Sequence, residues 1–135
     1  MCPYCQTQIR KPTLVYACAG CADVGNIADQ IGRKLRHEGF ATPQASCLAG
    51  IGAGIKVFID AAKAADTVIT IDGCEVECAS KTLQNIGIQP QVFILTQMGL
   101  EKGNSSSTPE LVNNLCLTIV NEKNGNLWAG DGGAS

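Results

Sequence analysis

The chain alternates short apolar, β-branched runs with longer segments whose apolar residues recur at three- and four-residue steps. Pro12 to Tyr16 (PTLVY) is the first such run. ACAGCADVG follows it, and then Val24, Ile27, Ala28, Ile31 and Leu35 fall at the spacing of one helical face. Gly39 stands where a C′ glycine would end that helix. A second strand is expected near Ala45 to Leu48, leading into the glycine-rich AGIGAG. A second helix then carries Ile55, Phe58, Ile59 and Ala62. Asp66 to Ile71 (DTVITI) has the short, β-branched character of a buried strand. DGCEVECASKTLQNIG reads as a turn, a helix and a stop at Gly87, and Gln91 to Leu95 (QVFIL) as a fourth strand. Beyond the polar loop EKGNSSSTP, a last helix is expected from Pro109 to Asn121. Thr108 is its N-cap and Pro109 its first helical residue.

Strands alternating with helices of this length imply βαβ units. The fold expected is therefore a three-layer α/β arrangement, Rossmann-like or flavodoxin-like, with about four mainly parallel strands and helices on both faces. The 135 residues suit one domain and can bury a core without disulfide staples. The expected organisation is an N-terminal arm over 1–11, an α/β metal-binding domain over 12–121, and a flexible glycine- and asparagine-rich tail over 122–135, with Trp128 as its one anchor.

Composition changes this picture at two points. The net charge is -2 and the ten Lys and Arg residues are scattered, which argues against nucleic acid as a partner. No apolar stretch approaches the roughly 20 residues of a membrane span. Met1-Cys2-Pro3-Tyr4 lacks the layout of a secretory signal, so the expected compartment is the cytoplasm. The second point is the presence of eight cysteines. In a reducing compartment such a pattern points to metal binding or thiol redox chemistry rather than to a disulfide framework.

Ligands of an open parallel sheet collect beyond the carboxyl ends of its strands, where helix N-termini point. Cys18 and Cys21 follow the first strand and open the first helix. Cys47 ends the expected second strand, and Cys74 and Cys78 follow the third and open its helix. All five thus sort to one edge. Cys18-x-x-Cys21 has a chelate spacing, and Cys74 and Cys78 share one helix face at i and i+4. Two such pairs supply the four ligands of a structural zinc, and helix N-termini favour thiolates there. Thiol redox chemistry and plain burial as small hydrophobes are the competing readings of the same four residues. Cys47 reads as a fifth ligand, as a thiol lying behind the ligands, or as a strand-end core residue.

Other residues narrow the choice. Glu75 and Glu77 flank the thiols; their charge would oppose a bare thiolate, and a bound cation would offset it. Cys116 lies on the apolar stripe of the last helix between Val112 and Val120 and reads as core, and His37 reads as a solvated side chain. Asp72 could accept hydrogen bonds from loop amides, ligate weakly or act as a base. Gly50 to Gly54 follows a strand as a phosphate cradle would, but lacks the Gly-Lys-Ser/Thr ending; tight reversal and close packing is the preferred reading. Val24, six residues beyond Cys18, excludes a Cys-x5-Arg phosphatase loop, and the single histidine limits triad schemes.

Cys18-Ala19-Gly20-Cys21, the run CLAGIGAG from Cys47 to Gly54, and Asp72-Gly73-Cys74 with Cys78 together resemble the DGC-domain family, small prokaryotic proteins named for an Asp-Gly-Cys motif. The resemblance spans residues 12 to 97. It implies zinc held by clustered cysteines and, beyond that, no defined activity. Cys2-Pro3-Tyr4-Cys5 is identical to the active-site tetrapeptide of many glutaredoxins, but no strand can precede it and Lys11-Pro12 interrupts any helix after it. The expectation is instead an arm that folds back over the thiol edge, with Cys2 and Cys5 as additional ligands or as a resolving dithiol. Seven thiols exceed the needs of one zinc, so a second ion is part of the expectation.

The sequence thus predicts a cysteine-rich zinc-binding protein, with an iron–sulfur cluster as the lesser alternative. The rival functions are a thiol–disulfide oxidoreductase or iron–sulfur electron carrier, and a metal carrier or sensor acting through a protein partner or a second copy of itself.

Overall fold

The structure is a computed structural model and describes residues 12–123. Three strands, β1 (Thr13–Ala17), β2 (Thr67–Asp72) and β3 (Gln91–Ile94), form a parallel sheet in the order β1-β2-β3. Thr13 pairs with Thr67 and Ala17 with Ile71, while Ile69 pairs with Gln91 and Asp72 with Ile94. Every strand therefore ends at the same edge, which is the geometric premise of the site.

The pleat sorts side chains between two apolar layers. Val15, Ala17, Ile69, Ile71 and Phe93 face α1 (Asp23–His37) and α5 (Pro109–Lys123). Leu14 and Tyr16 face the opposite way, onto a layer formed by α2 (Leu48–Gly52), α3 (Lys56–Ala64) and α4 (Cys78–Gln84). The expected three-layer α/β fold is the one observed. Among the described residues, no helix is long and apolar enough to cross a membrane.

Local chemistry accounts for the element ends. Val24, Ile27, Ala28, Ile31 and Leu35 of α1 are all buried. Gly39 ends the helix at φ +86°, and the amide of Phe40 returns to the Leu35 carbonyl at 3.1 Å. Gly87 does the same for α4 at φ +87°. The hydroxyl of Thr108 accepts the Leu111 amide at 3.1 Å and caps α5, which runs two residues beyond the expected Asn121.

The expectation of a second strand near Ala45 to Leu48 is corrected, which leaves three strands rather than four. Ala45 sits at φ +72°, a left-handed conformation incompatible with a strand. The flank of β1 that such a strand would need is also taken. Arg36 Nη2 donates to the Val15 carbonyl at 3.1 Å, and the Thr42 amide to that of Thr13 at 2.8 Å. Cys47 consequently ends no strand; it is the N-cap of α2, its sulfur accepting the Gly50 amide at 3.3 Å. The helix expected after the glycine run is α3; the run itself forms a further short helix, α2, and a turn with Gly54 at φ +76° separates the two. A Cβ on Gly50 would enter the Phe58 ring, so this glycine serves close packing of α2 on α3.

Candidate functional site at the carboxyl edge of the sheet

Two cysteine segments leave adjacent strands. Cys18 directly follows β1, and its amide continues the ladder to the Ile71 carbonyl at 3.0 Å. Its sulfur accepts the Gly73 amide at 3.2 Å. Gly73 is bonded to Cys74, so the first and third thiol segments meet here. Glycine is required at 73 because a Cβ would stand 2.7 Å from the Val24 carbonyl carbon and 2.8 Å from the Gly25 nitrogen, inside the start of α1. Gly25 in turn lies tight against Gly20, between the two cysteines of the first pair.

The thiols differ in environment. Cys18 is buried, whereas Cys74 is half-buried and Cys21, Cys47 and Cys78 are exposed. Burial pushes the Cys18 thiol up; the Gly73 amide pulls it back, the Asp72 charge adds to the rise, and the Gly20 amide and Cys78 act more weakly. Cys18 thus holds its proton more tightly than a free thiol, and a bound cation would have to displace it. Cys47 caps the N-terminus of α2. Cys116 packs in the core, its S–H directed at the Ile31 carbonyl at 3.9 Å, and burial pushes it up to about 11. Cys2 and Cys5 lie outside the described residues.

Asp72 closes β2 and is 1% exposed. Oδ1 accepts the Ala79 amide at 2.8 Å; Oδ2 accepts the Ser80 amide at 3.2 Å and the Ser80 hydroxyl at 2.7 Å. The carboxylate thus caps α4 from outside the helix and balances the orphan donors of its first turn. This fixes Cys78, the first residue of α4, relative to β2. The Ser80 hydroxyl also lies 2.8 Å from that of Thr70. Between the two thiols of this segment, Glu77 adopts φ +59°, a left-handed residue that turns the chain into α4. Glu75 is turned onto the Thr96 hydroxyl at 2.7 Å, whose hydrogen bond holds its carboxyl below the usual range.

Two participants escape the sequence patterns. Lys102 Nζ donates to Cys74 Sγ at 3.4 Å. Asp23, at the first residue of α1, accepts the amides of Gly103 and Ser105, both at 2.9 Å, and these hold its carboxyl low. Asp23 is legible as a charge suited to a helix N-terminus. Its link to a loop eighty residues on leaves no local signal.

Sulfur donors of this kind suit zinc or an iron–sulfur cluster. Among the described residues, however, no three Cys, His, Asp or Glu side chains converge on a common point as they would around an ion. The donor chemistry fits a thiophilic metal, while the donor positions are those of separate thiols, with the Cys18 sulfur engaged by Gly73.

Residues 14–120 match the family model of the DGC domain. Over 90 residues the chain is 30% identical to the anaerobic and virulence modulator AnvM of Pseudomonas aeruginosa, an alignment covering 66% of this chain and 67% of that protein. No solved structure matches.

Proposed function

The chain belongs to the DGC domain family, and from that premise we propose that it is a cytoplasmic metal-binding protein that holds zinc through Cys18, Cys21, Cys74 and Cys78. The observation that supports this reading is the 3.2 Å contact between the Gly73 amide and the Cys18 sulfur, which unites a Cys-x-x-Cys segment with the Asp-Gly-Cys segment at one sheet edge. Bound zinc would supply a redox-inert crosslink between these segments. The chain's own residues do the rest. Asp72 holds the N-terminus of α4 and with it Cys78, Gly73 lets β2 approach α1, and Glu75 is kept off the sulfurs by Thr96. Because the thiols are not gathered around one point, loading requires the Cys18 sulfur to exchange its amide partner for the ion. Cys47, Cys2 and Cys5 serve a second ion or exchange.

The test is metal analysis of protein purified without added metal. About one equivalent of zinc, with the four thiols protected from titration, is expected. Metal-free protein with every exposed thiol titratable overturns the reading, and a coloured protein after anaerobic purification replaces zinc by an iron–sulfur cluster.

A second reading is favoured by the name of the relative AnvM, a modulator. The thiol edge would then report metal or redox state to a protein partner. The exposed Val76, midway between Cys74 and Cys78, is an apolar contact suited to that role. Rapid transfer of zinc to a chelator without unfolding supports it, and a site that releases metal only on unfolding speaks against it.

A further inference from the structure

A groove lies at the amino end of the sheet, at the opposite end of the strands from the cysteine segments. Its volume is about 510 Å³, within the range of sites that hold a small ligand. Val68 of β2, Ala65 at the end of α3, and Ile86 and Ile88 beyond α4 line it, four apolar side chains left half-buried. The chain enters the fold beside this groove. The Pro12 carbonyl accepts the amides of Asp66 at 3.0 Å and Thr67 at 3.5 Å, and Asp66 is itself part of the groove wall. Pro12 has no N–H, so the parallel ladder cannot be carried back through it. Lys11, as the residue before a proline, favours extended backbone. Ile9, three residues from Pro12, has about 10 Å of reach, enough to meet Val68, two residues on from Asp66. Arg10 and Lys11 are the cations next to Pro12 and hence to the Asp66 carboxylate. Lys63 shares the wall, so the ion pair sets the place of the segment and the apolar contact supplies most of the hold. The other end of the chain starts elsewhere. α5 packs through Leu115 and Ile119 on the layer that holds α1, so residues beyond Lys123 leave from the face of the sheet away from the groove.

We infer that the N-terminal segment 1–11 docks in this groove, with Ile9 seated on Val68, Ile86 and Ile88. The Cys2-Pro3-Tyr4-Cys5 dithiol then belongs to the amino end of the sheet. Cys5, four residues from Ile9, has about 14 Å of chain. That is less than the roughly 17 Å of the five-residue β1, which separates the groove from Cys18. The arm is thus drawn away from the thiol edge over which the sequence alone would fold it. The inference goes beyond zinc binding and does not rest on it.

The test is methyl NMR on the full chain with isoleucine methyl labels, the Ile9 signal being assigned by its loss in Ile9→Val. Nuclear Overhauser cross-peaks from Ile9 to Ile86 and Ile88 are expected, with none between differently labelled chains in a mixture. Amide exchange gives a second readout, because the Gly87 and Ile88 amides donate to the Gln84 and Leu83 carbonyls beneath the groove. Ile9→Asp is expected to speed their exchange about tenfold, the scale of uncovering one isoleucine side chain. Ile9→Leu leaves them slow, and Ile69 and Ile71 stay protected in both variants, which shows that the sheet is intact. Absence of any Ile9 cross-peak to the groove, or exchange indifferent to Ile9→Asp, overturns the proposal. So do cross-peaks between differently labelled chains, which make a second copy the occupant, and contacts from Trp128 in place of Ile9, which make it the C-terminal tail. Metal content of the same preparation decides the zinc reading separately.

Discussion

The amide of Gly73 donates to the sulfur of Cys18 at 3.2 Å across 55 residues of sequence. This bond joins the ends of β1 and β2, and its geometry depends on residue 73 having no side chain. Gly73→Ala drives a Cβ into the backbone of Val24 and Gly25. Overpacking of this kind is expected to destabilise the fold by about 1–3 kcal/mol. Urea denaturation measures the loss, and faster alkylation of Cys18 reports the opened contact.

Asp72 is expected to matter to α4 more than to the sheet. Asp72→Ala leaves the Ala79 and Ser80 amides without their acceptor in a buried setting. A loss of about 2–3 kcal/mol is expected, the scale of hydrogen bonds to a charged group. Amide exchange should accelerate at residues 79 and 80 while β1 stays protected.

Stability should fall in alkali. Burial raises Tyr16 from 10.0 to about 12 and Cys116 from 9.0 to about 11. Both acids hold their proton more tightly folded than unfolded. Their contribution is therefore complete below about pH 9 and is lost as pH climbs through about 11 for Cys116 and about 12 for Tyr16. Each is worth about 2–3 kcal/mol over its window. Urea midpoints measured from neutral to strongly alkaline pH test this, and Cys116→Val should remove the earlier part of the decline.

Chelation should leave the core standing. The two apolar layers meet across β1 and β2 without a cysteine bridge. Metal removal is accordingly expected to preserve far-ultraviolet circular dichroism, expose Cys21 and Cys78 to alkylation and lower the thermal midpoint. Cooperative unfolding on chelation would instead make the ion a keystone of the fold.

What could be read in advance was local or periodic. The glycine stops at 39 and 87 and the Thr108 cap act within a few residues of themselves, and all three are found. The sorting of Cys18 and Cys74 to one edge follows from strands that are parallel. Ala45 to Leu48 looked equally strand-like, but a strand exists only with a partner, and Arg36 and Thr42 already occupy the flank of β1. Cys47 was misplaced for that reason. Asp72 was legible as an acceptor of nearby amides, though those it holds belong to α4. The contacts of Lys102 with Cys74 and of Asp23 with Gly103 were invisible because they are made by a loop that closes only in three dimensions.

The Arg36 guanidinium and the Thr42 amide carry a consequence for crowded solution. By taking the outward carbonyls of Val15 and Thr13, they turn the β1 flank from a template into a finished border. An unfolded neighbour arriving there meets acceptors already satisfied and a charge set across its path. Growth into stacked, strand-to-strand polymers is thus discouraged from that side by two side-by-side donors.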